Sequence, residues 1–494
     1  MFSSTGTTTE AERDRESPLT TARDDRLRWM DGVASRDLVR QGEATALELT
    51  TAAVERIDSL NPSLNAVSVP LYEFGLAAAA DPALAHGPFT GVPFLLKDAG
   101  ACYAGLPQFL GSGLLRSLGW TAPADTVLGS RFRDCGFITV GKTNLPEFGV
   151  QATTEPLAFG PTRNPWDPAR SVGGSSGGAA AAVAAGLVPI AHASDIGGSI
   201  RMPAAWCGVV GLKPSRGRTS TAPIIDPNLV EHVITRSVRD TAEVLASVAG
   251  PTRGDPYTLA QSEIGYLEAL ETYPAQLRIG LLTTVDASSV SIAADCVKAA
   301  EDAGRLLETL GHAIEPAGPR RLFDDAFVEH TFISSAREFK RMLDNLAQAL
   351  GRALTPTDIE PFSWALAEAG ANINDEAYSA SQTWERGYTA DVTSWWNNDY
   401  DLLLTPAVGE PPTLLGELVP TATDPLAILG RYRQIWGFAA PFSVTGQPAI
   451  SLPIGRSNGG LPIGIQLVAS LGREDLLIQV AAQLERAAPF TQQR

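Results

Sequence analysis

The segment that most constrains this chain spans residues 171–205 and reads SVGGSSGGAAAAVAAGLVPIAHASDIGGSIRMPAA. It places two glycine-flanked serines, Ser175 and Ser199, on either side of an alanine-rich apolar stretch. Alanine is the strongest helix former, so residues 177–186 predict a buried helix that ends at its last glycine. Residues 187–191 then predict a short return strand. A helix of about ten residues advances roughly 15 Å and such a strand returns about as far, so both serines should meet at one end of this hairpin.

Each of the two glycine–serine motifs, taken alone, also has a purely structural interpretation. A GGSSGG run alone is more often a flexible linker, and an isolated GGS triplet is a loop in most proteins. A linker, however, is not usually joined to a strongly apolar helix and strand, which must be packed. The two glycine-flanked serines at this spacing are therefore a far more specific signal of a functional site than either motif alone.

An upstream apolar strand, residues 92–96, ends at Lys97. Without the serine pair, this lysine would be interpreted as an exposed residue at a strand end. Together, this strand-end lysine and the motifs GGSSGG and DIGGSIRMPA resemble the signature of the amidase signature family. Members of that family are serine hydrolases that cleave C–N bonds with a Ser–Ser–Lys triad. The resemblance covers about residues 30–488. It implies that Ser199 is the nucleophile, Ser175 the bridging serine after a cis peptide bond, and Lys97 the base.

The same resemblance implies which groups hold the reacting carbonyl oxygen and which support the loop. The oxyanion hole is expected to consist of the backbone N–H groups of Ile196, Gly197, Gly198 and Ser199. Support of the loop is expected from Gly174, Ser176, Asp195 and Arg201. The opposite charges of Asp195 and Arg201 are interpreted as a structural ion pair, with direct participation in the chemistry as the alternative.

A serine hydroxyl is a weak nucleophile that must lose its proton as it attacks. No histidine stands out as the base; His192 lies inside the apolar return strand, where a packed core histidine is the better interpretation. A lysine can act as a base only when neutral, and burial lowers its pKa by several units from about 10.4. We therefore expect a desolvated Lys97 to receive the proton of Ser199 through Ser175 and to return it to the leaving amine.

A chain of 494 residues is long enough for two or three domains, but the resemblance implies one large α/β domain. Its expected core is a central mixed, largely parallel twisted sheet flanked by helices. The chain is divided into a disordered tail at 1–24 and the amidase domain at 25–494. Within that domain we expect a catalytic core at about 90–215 and substrate-shaping insertions at about 219–275, 315–400 and 415–440.

Strands and helices alternate along the chain. Thr45 and Glu48 form a capping box that opens a helix, which Asn61 and Pro62 should end. Residues 207–214 indicate a strand and turn. Further strands are predicted at 277–283, 401–406, 449–454 and 463–468, and helices at 293–310 and 474–487.

One motif points to a different chemistry. Residues 136–143, GFITVGKT, fit the GxxxxGK[ST] pattern of a phosphate-binding loop. That loop needs small residues between its glycines, whereas this one has aromatic and β-branched residues that predict a buried strand. The Asn-Leu-Pro that follows would also break the required helix. We therefore reject nucleotide binding.

Composition excludes several classes of partner. The net charge of −17 disfavours nucleic acid and an anionic membrane surface. No apolar run of about twenty residues and no signal peptide is visible. The cysteines lack zinc-site spacing and predict free thiols in a cytoplasmic protein: Cys102, Cys135, Cys207 and Cys296. We expect no metal, no cofactor, and a monomer or homodimer.

Three motifs favour one branch of the family: GVPFLLKD, TTEPxAxGxTRNPW and PIGIQLVASLGREDLLIQVAAQLE. They resemble the branch that contains nylon-oligomer cyclic-dimer hydrolases, bacterial amidases and urethanases. This resemblance implies a broad-specificity amidase for amides, anilides or small carbamates. The three insertions are expected to form the pocket walls, with Tyr103 and Phe148 as further candidates.

Two alternatives remain open. One is the amidase subunit of a tRNA-dependent amidotransferase, which the acidic charge and the long aromatic insertions disfavour. The other is a non-catalytic binding protein on the same scaffold, against which the retention of both serines and Lys97 argues.

Overall fold

Eleven strands in the described part of the chain pair into one sheet. The computed structural model describes residues 26–224, 226, 228–262, 264–284 and 290–490. The predicted disordered tail at 1–24 lies outside those residues. In chain order the strands are β1 (Val67–Pro70), β2 (Pro93–Lys97), β3 (Ile138–Thr143), β4 (Ile190–Asp195), β5 (Val210–Lys213), β6 (Val230–Thr235), β7 (Arg278–Leu281), β8 (Ala313–Pro316), β9 (Leu402–Pro406), β10 (Ala449–Arg456) and β11 (Pro462–Ala469).

The spatial order of the strands is β1-β3-β2-β4-β6-β5-β10-β11-β9-β7-β8. The predicted mixed sheet is confirmed, but parallel pairs are fewer than expected. Only β2–β3, β2–β4, β7–β8 and β7–β9 are parallel, and the other six neighbouring pairs are antiparallel. One reason is local, because only residues 457–461 separate β10 from β11, and such a short turn forces antiparallel pairing.

Helices flank this sheet, as predicted for an α/β domain. Their bounds are Gly32–Arg40, Ala46–Leu64, Tyr72–Ala80, Gly113–Ser117, Val127–Asp134, Gly177–Ala184, Arg201–Cys207, Val238–Val248, Tyr266–Glu271, Ala294–Thr309, Phe327–Leu350, Pro361–Ala371, Asp375–Thr393, Leu429–Trp436, Ala440–Val444 and Glu474–Ala487. The strands and helices predicted in the C-terminal half of the chain are confirmed within two residues of each bound. No helix among the described residues is long and apolar enough to cross a membrane.

The capping box of the helix Ala46–Leu64 is confirmed, because the Thr45 side chain accepts the Glu48 N–H and the Glu48 carboxylate accepts the Thr45 N–H. Its predicted end is wrong. The helix continues through Pro62 to Leu64 and ends where Asn65 takes a left-handed conformation with φ 52°. Asparagine tolerates that conformation well, and it is a common helix stop.

The serine hairpin has the predicted helix, which spans Gly177–Ala184 and is fully buried. Gly186 has a φ of +72°, as a glycine that follows a helix commonly does. The return strand begins three residues later than predicted, at Ile190, because residues 187–189 first make a turn. The P-loop-like segment is confirmed as a strand, β3, buried at every residue.

Candidate active site

Two parallel strands bring the lysine and the serine segments to one edge of the sheet. β2 ends at Lys97, and β4 ends at Asp195, just before the second serine loop. The strands pair in parallel, with Phe94 opposite Ile190, so their carboxyl ends share an edge, where α/β enzymes commonly place their sites. Between the loops, the Ser176 N–H donates to the Ser199 carbonyl at 3.2 Å. The two serine segments therefore meet.

The Lys97 amine is buried, with 1% of the residue exposed, and three hydroxyl groups surround it. Its Nζ lies 2.7 Å from Ser175 Oγ, 2.9 Å from Ser176 Oγ and 2.9 Å from Ser194 Oγ. Burial lowers the pKa of Lys97 to about 7, although the carboxylates of Glu231 and Asp195 raise it in part. A large fraction of this amine is therefore neutral near pH 7 and has a lone pair that can accept a proton.

The first serine loop is closely packed around its glycines. The peptide bond between Gly174 and Ser175 is cis. A Cβ on Gly174 would lie 2.7 Å from the Gln151 carbonyl oxygen and 2.8 Å from the Thr153 nitrogen. Because both contacts are with backbone, no larger residue fits at Gly174 without moving the chain.

The second serine loop is held by a buried ion pair between Asp195 and Arg201, 2.9 Å apart. The Asp195 carboxylate also accepts the N–H groups of Gly198 at 2.7 Å and Ile200 at 3.2 Å. Burial alone would raise the pKa of Asp195, but Arg201 lowers it to about 2. The predicted ion pair is therefore present, and it fixes both ends of the loop.

The predicted oxyanion-hole N–H groups are not equivalent. The Gly198 N–H is directed to Asp195, as described above. Within the described residues, no protein group accepts a hydrogen bond from the N–H groups of Ile196, Gly197 or Ser199. These three are therefore free to bind an oxygen of another molecule. The Ile196 side chain is exposed, and Ser199 is half-buried.

The two predicted pocket residues differ in position. Phe148 precedes Gly149, where a Cβ would lie 3.4 Å from Ser175 Oγ, and its ring packs on Phe339. Tyr103 is instead buried in the apolar core, with its hydroxyl 3.3 Å from Thr139 Oγ1. Thr139 lies towards the start of β3, whereas the serine loops lie beyond the ends of β2 and β4. The position of Tyr103 does not support a substrate-binding role.

Helices distant in sequence pack against the serine loops. A Cβ on Gly198 would lie 2.8 Å from the Ala439 Cβ and 3.9 Å from the Trp436 Cβ. Phe339, which packs on Phe148, belongs to the helix Phe327–Leu350. The predicted insertion 415–440 thus contributes residues that pack against the second serine loop, and the insertion 315–400 contributes Phe339, which packs on Phe148.

Sequence reasoning missed Ser194 and the buried pair of His192 and Glu231 behind Lys97. His192 and Ser194 lie two residues apart on β4, so they share one face of the sheet, and this spacing was the available signal. Glu231 gave a second signal, since it is a carboxylate beside a histidine in a short, valine-rich strand that is buried at every residue. The four cysteines are buried, and none of them forms a disulfide with another. In the part of the chain that the structure covers, no cluster of three or more His, Cys, Asp or Glu could hold a metal ion.

Comparisons with known proteins agree with this geometry. The amidase family profile matches residues 48–478. The 6-aminohexanoate-cyclic-dimer hydrolase of Paenarthrobacter ureafaciens is 41% identical over 477 residues, which cover 94% of this chain and 96% of that protein. A solved structure of 6-aminohexanoate cyclic dimer hydrolase with its substrate matches at a TM-score of 0.92 and 40% identity, covering 94% of this chain and 98% of that chain.

A bacterial aryl acylamidase of the amidase signature family is also similar, with a TM-score of 0.84 and 28% identity over 94% of this chain and 98% of that one. The family match covers most of the chain, and the relatives align over nearly their whole lengths. The chain therefore belongs to the amidase signature family and is a hydrolase that cleaves the C–N bonds of amides.

Proposed function

We propose that this amidase acts through an acyl-enzyme on Ser199, with Ser175 as the proton relay and neutral Lys97 as the base. The observation that carries the proposal is the 2.7 Å contact between the buried Lys97 amine and Ser175 Oγ. A serine hydroxyl needs such a base to become a nucleophile. Ser176 and Ser194 occupy the amine's other two contacts, which orients its lone pair towards Ser175.

In the proposed reaction, Ser199 Oγ attacks the amide carbon while its proton passes through Ser175 to Lys97 Nζ. The tetrahedral oxyanion binds the N–H groups of Ile196, Gly197 and Ser199, and each such donor is worth about 10²–10³ in rate. The intermediate collapses, the same proton reaches the leaving nitrogen, and the amine departs. Water then attacks the acyl ester and gives its proton to the same relay, so that the acid leaves and Ser199 is restored.

For substrate class, we infer uncharged amides, including cyclic or linear oligomer amides, aryl amides and small carbamates. Aromatic and aliphatic side chains border the serine loops, among them Phe148, Ile196 and Trp436. Such walls favour apolar substituents over charged ones. Relatives named for a cyclic amide dimer and for aryl amides support this range. A carbamate would react at the same carbonyl, giving an amine, an alcohol and carbon dioxide.

We also infer that the enzyme works in the cytoplasm as a monomer or homodimer. Its four buried cysteines are not joined in disulfides, which suits a reducing compartment.

The test combines a substrate panel with labelling of the nucleophile. Anilides, primary amides, esters and carbamates are assayed with wild type, Ser199→Ala and Ser63→Ala. Ser63 is exposed on a helix, far along the chain from the serine loops, and its hydroxyl donates to the Leu60 carbonyl, so its variant is the matched control. We expect a fluorophosphonate to label wild type at Ser199 by mass spectrometry, and Ser199→Ala to lose labelling and turnover. Near-normal turnover by folded Ser199→Ala would contradict the proposal.

A further inference from the structure

His192 and Glu231 form a fully buried pair behind Lys97, on β4 and β6. His192 Nδ1 accepts a hydrogen bond from the Lys97 backbone N–H at 3.3 Å. The other ring nitrogen, Nε2, lies 3.2 Å from Glu231 Oε1. Because Nδ1 is an acceptor, the neutral ring carries its proton on Nε2, the nitrogen that lies next to the carboxylate. The imidazole therefore lies between Glu231 and the backbone of Lys97.

The Glu231 carboxylate also reaches the loop that follows Lys97. Its Oε1 accepts the Ala101 N–H at 2.9 Å. Gly100 makes room for it, since a Cβ there would lie 1.6 Å from Oε1. Its second oxygen has no hydrogen-bond partner among the described residues. A buried carboxylate left partly unsatisfied lowers the stability of the fold, so its retention calls for a role.

Strand register places this carboxylate on the same side of the sheet as the Lys97 contacts. Glu231 is the direct cross-strand partner of Ser194, whose hydroxyl lies 2.9 Å from Lys97 Nζ. Opposite residues in an antiparallel pair project to the same face, as do residues two apart in one strand. His192, Ser194 and Glu231 therefore act on Lys97 from one side, while Ser175 and Ser176 contact its amine from the glycine-rich loop.

We propose that His192 and Glu231 are positioning residues for the base: His192 holds the backbone at the end of β2, and Glu231 supplies the buried negative charge that keeps the Lys97 amine basic. This inference rests on the proposed function of Lys97. His192 contacts the backbone of Lys97 and, among the residues that the structure describes, bonds no serine hydroxyl, so it acts through the lysine and not as a base itself.

Other titratable groups lie on the strands and loops around this pair. Lys142 from β3 and Asp98 form a buried pair 3.6 Å apart, Asp195 lies on β4, and His232 lies on β6. Burial lowers the pKa of His232 to about 3, so its ring stays neutral near pH 7. Burial raises the pKa of Asp98 to about 6 against the effect of Lys142. Among the carboxylates that raise the pKa of Lys97, Glu231 has the largest effect, followed by Asp195.

The decisive variant is Glu231→Gln, which keeps the shape and an acceptor for the Ala101 N–H but removes the charge. The readout is the pH dependence of Ser199 labelling by a fluorophosphonate, because only the neutral amine accepts the proton. Without the negative charge of Glu231, the ammonium form of Lys97 is less stabilised. We therefore expect the midpoint of the pH dependence of labelling to move to lower pH by about one unit. The rate at high pH should fall as well, because the amine is a weaker base. Asp98 is unchanged in the variant, so its own titration does not produce the shift.

Three further variants separate charge from structure. Glu231→Asp retains the charge, so its midpoint should stay near that of wild type even though its shape is altered. His192→Asn keeps an acceptor near the Lys97 N–H but loses the link to Glu231, and it should lower kcat about tenfold with KM unchanged. Asp240→Asn is the matched control, because Asp240 is a buried carboxyl that accepts the N–H groups of Gly32 and Val33, and its loss should leave the midpoint unmoved.

An unchanged midpoint in folded Glu231→Gln would overturn the inference while leaving the proposed function intact. A midpoint that moves in Glu231→Asp as far as in Glu231→Gln would also overturn it, because a structural role alone would then explain both. Should Glu231→Gln fail to fold, wild-type kcat in His192→Asn overturns the inference and a loss with KM unchanged supports it. Absence of Ser199 labelling in wild type would instead refute the proposed function, and the inference with it.

Discussion

Lys97, the proposed base, meets two requirements that conflict in water, since a proton acceptor must be both neutral and basic. Burial favours the neutral amine, whereas the carboxylates of Glu231 and Asp195 favour the ammonium ion. The balance puts the pKa of Lys97 at about 7. At that value the amine is largely neutral at mildly alkaline pH and remains basic enough to draw a proton from Ser175, which is the compromise that general-base catalysis favours.

We therefore expect kcat/KM for amide hydrolysis to rise with pH through about 7, because the reactive form is the deprotonated lysine. A pH profile on an anilide substrate measures this midpoint. Lys97→Ala should lose about 10²–10⁴ in kcat and lose the titration. Lys298→Ala, at an exposed lysine that pairs with Asp302, is the control and should match wild type. A flat wild-type profile between about pH 5 and 9 would count against this assignment.

At the scale of the elements, the serine hairpin and the strand before Lys97 were predictable because local rules decide them. Alanine runs form helices, and short apolar runs between turns form strands. The sheet order was not predictable, since it depends on pairings between strands far apart in sequence, such as β4 with β6 and β5 with β10. Glu231 reaches Lys97 only through such a pairing, which is why the sequence did not reveal it.

Gly174→Ala tests how tightly the first serine loop is packed. The new Cβ would meet backbone atoms of Gln151 and Thr153 at 2.7–2.8 Å, so we expect a loss of about 1–3 kcal/mol in unfolding free energy and a large loss of activity. Urea unfolding and anilide hydrolysis measure both effects. Gly387→Ala is the contrast, because that helical glycine has open space and should gain up to about 1 kcal/mol. Equal stability of the two variants would refute the packing argument.

Across the whole molecule, Arg201 joins segments that are distant in sequence. Its guanidinium binds Asp195 at the end of β4, the Ala439 carbonyl, Ser443 and the Gln466 side chain on β11. The helix-rich 415–440 region, the central strands and the second serine loop therefore depend on one buried cation. This link explains how residues late in the chain come to border a site built early in it.

Arg201→Met should cost about 3–5 kcal/mol, because it leaves the Asp195 carboxylate buried without its cationic partner. The double variant Asp195→Asn, Arg201→Met should recover part of that loss, and thermal unfolding of the single and double variants measures the difference. Folding lowers the pKa of Asp195 to about 2 from 3.8, so in wild type this stabilisation is present above about pH 4 and is lost as pH falls towards 2. Additive losses in the double variant would refute the coupling.

Lysine is scarce in this chain, at positions 97, 142, 213, 298 and 340, and the first three are completely or almost completely buried. Lys298 and Lys340 are the two whose ammonium groups reach solvent. Among the five lysines, reagents that acylate primary amines should therefore modify these two helical positions and spare Lys97, the proposed base. Coupling through them offers a way to fix the enzyme on a solid support without blocking its chemistry.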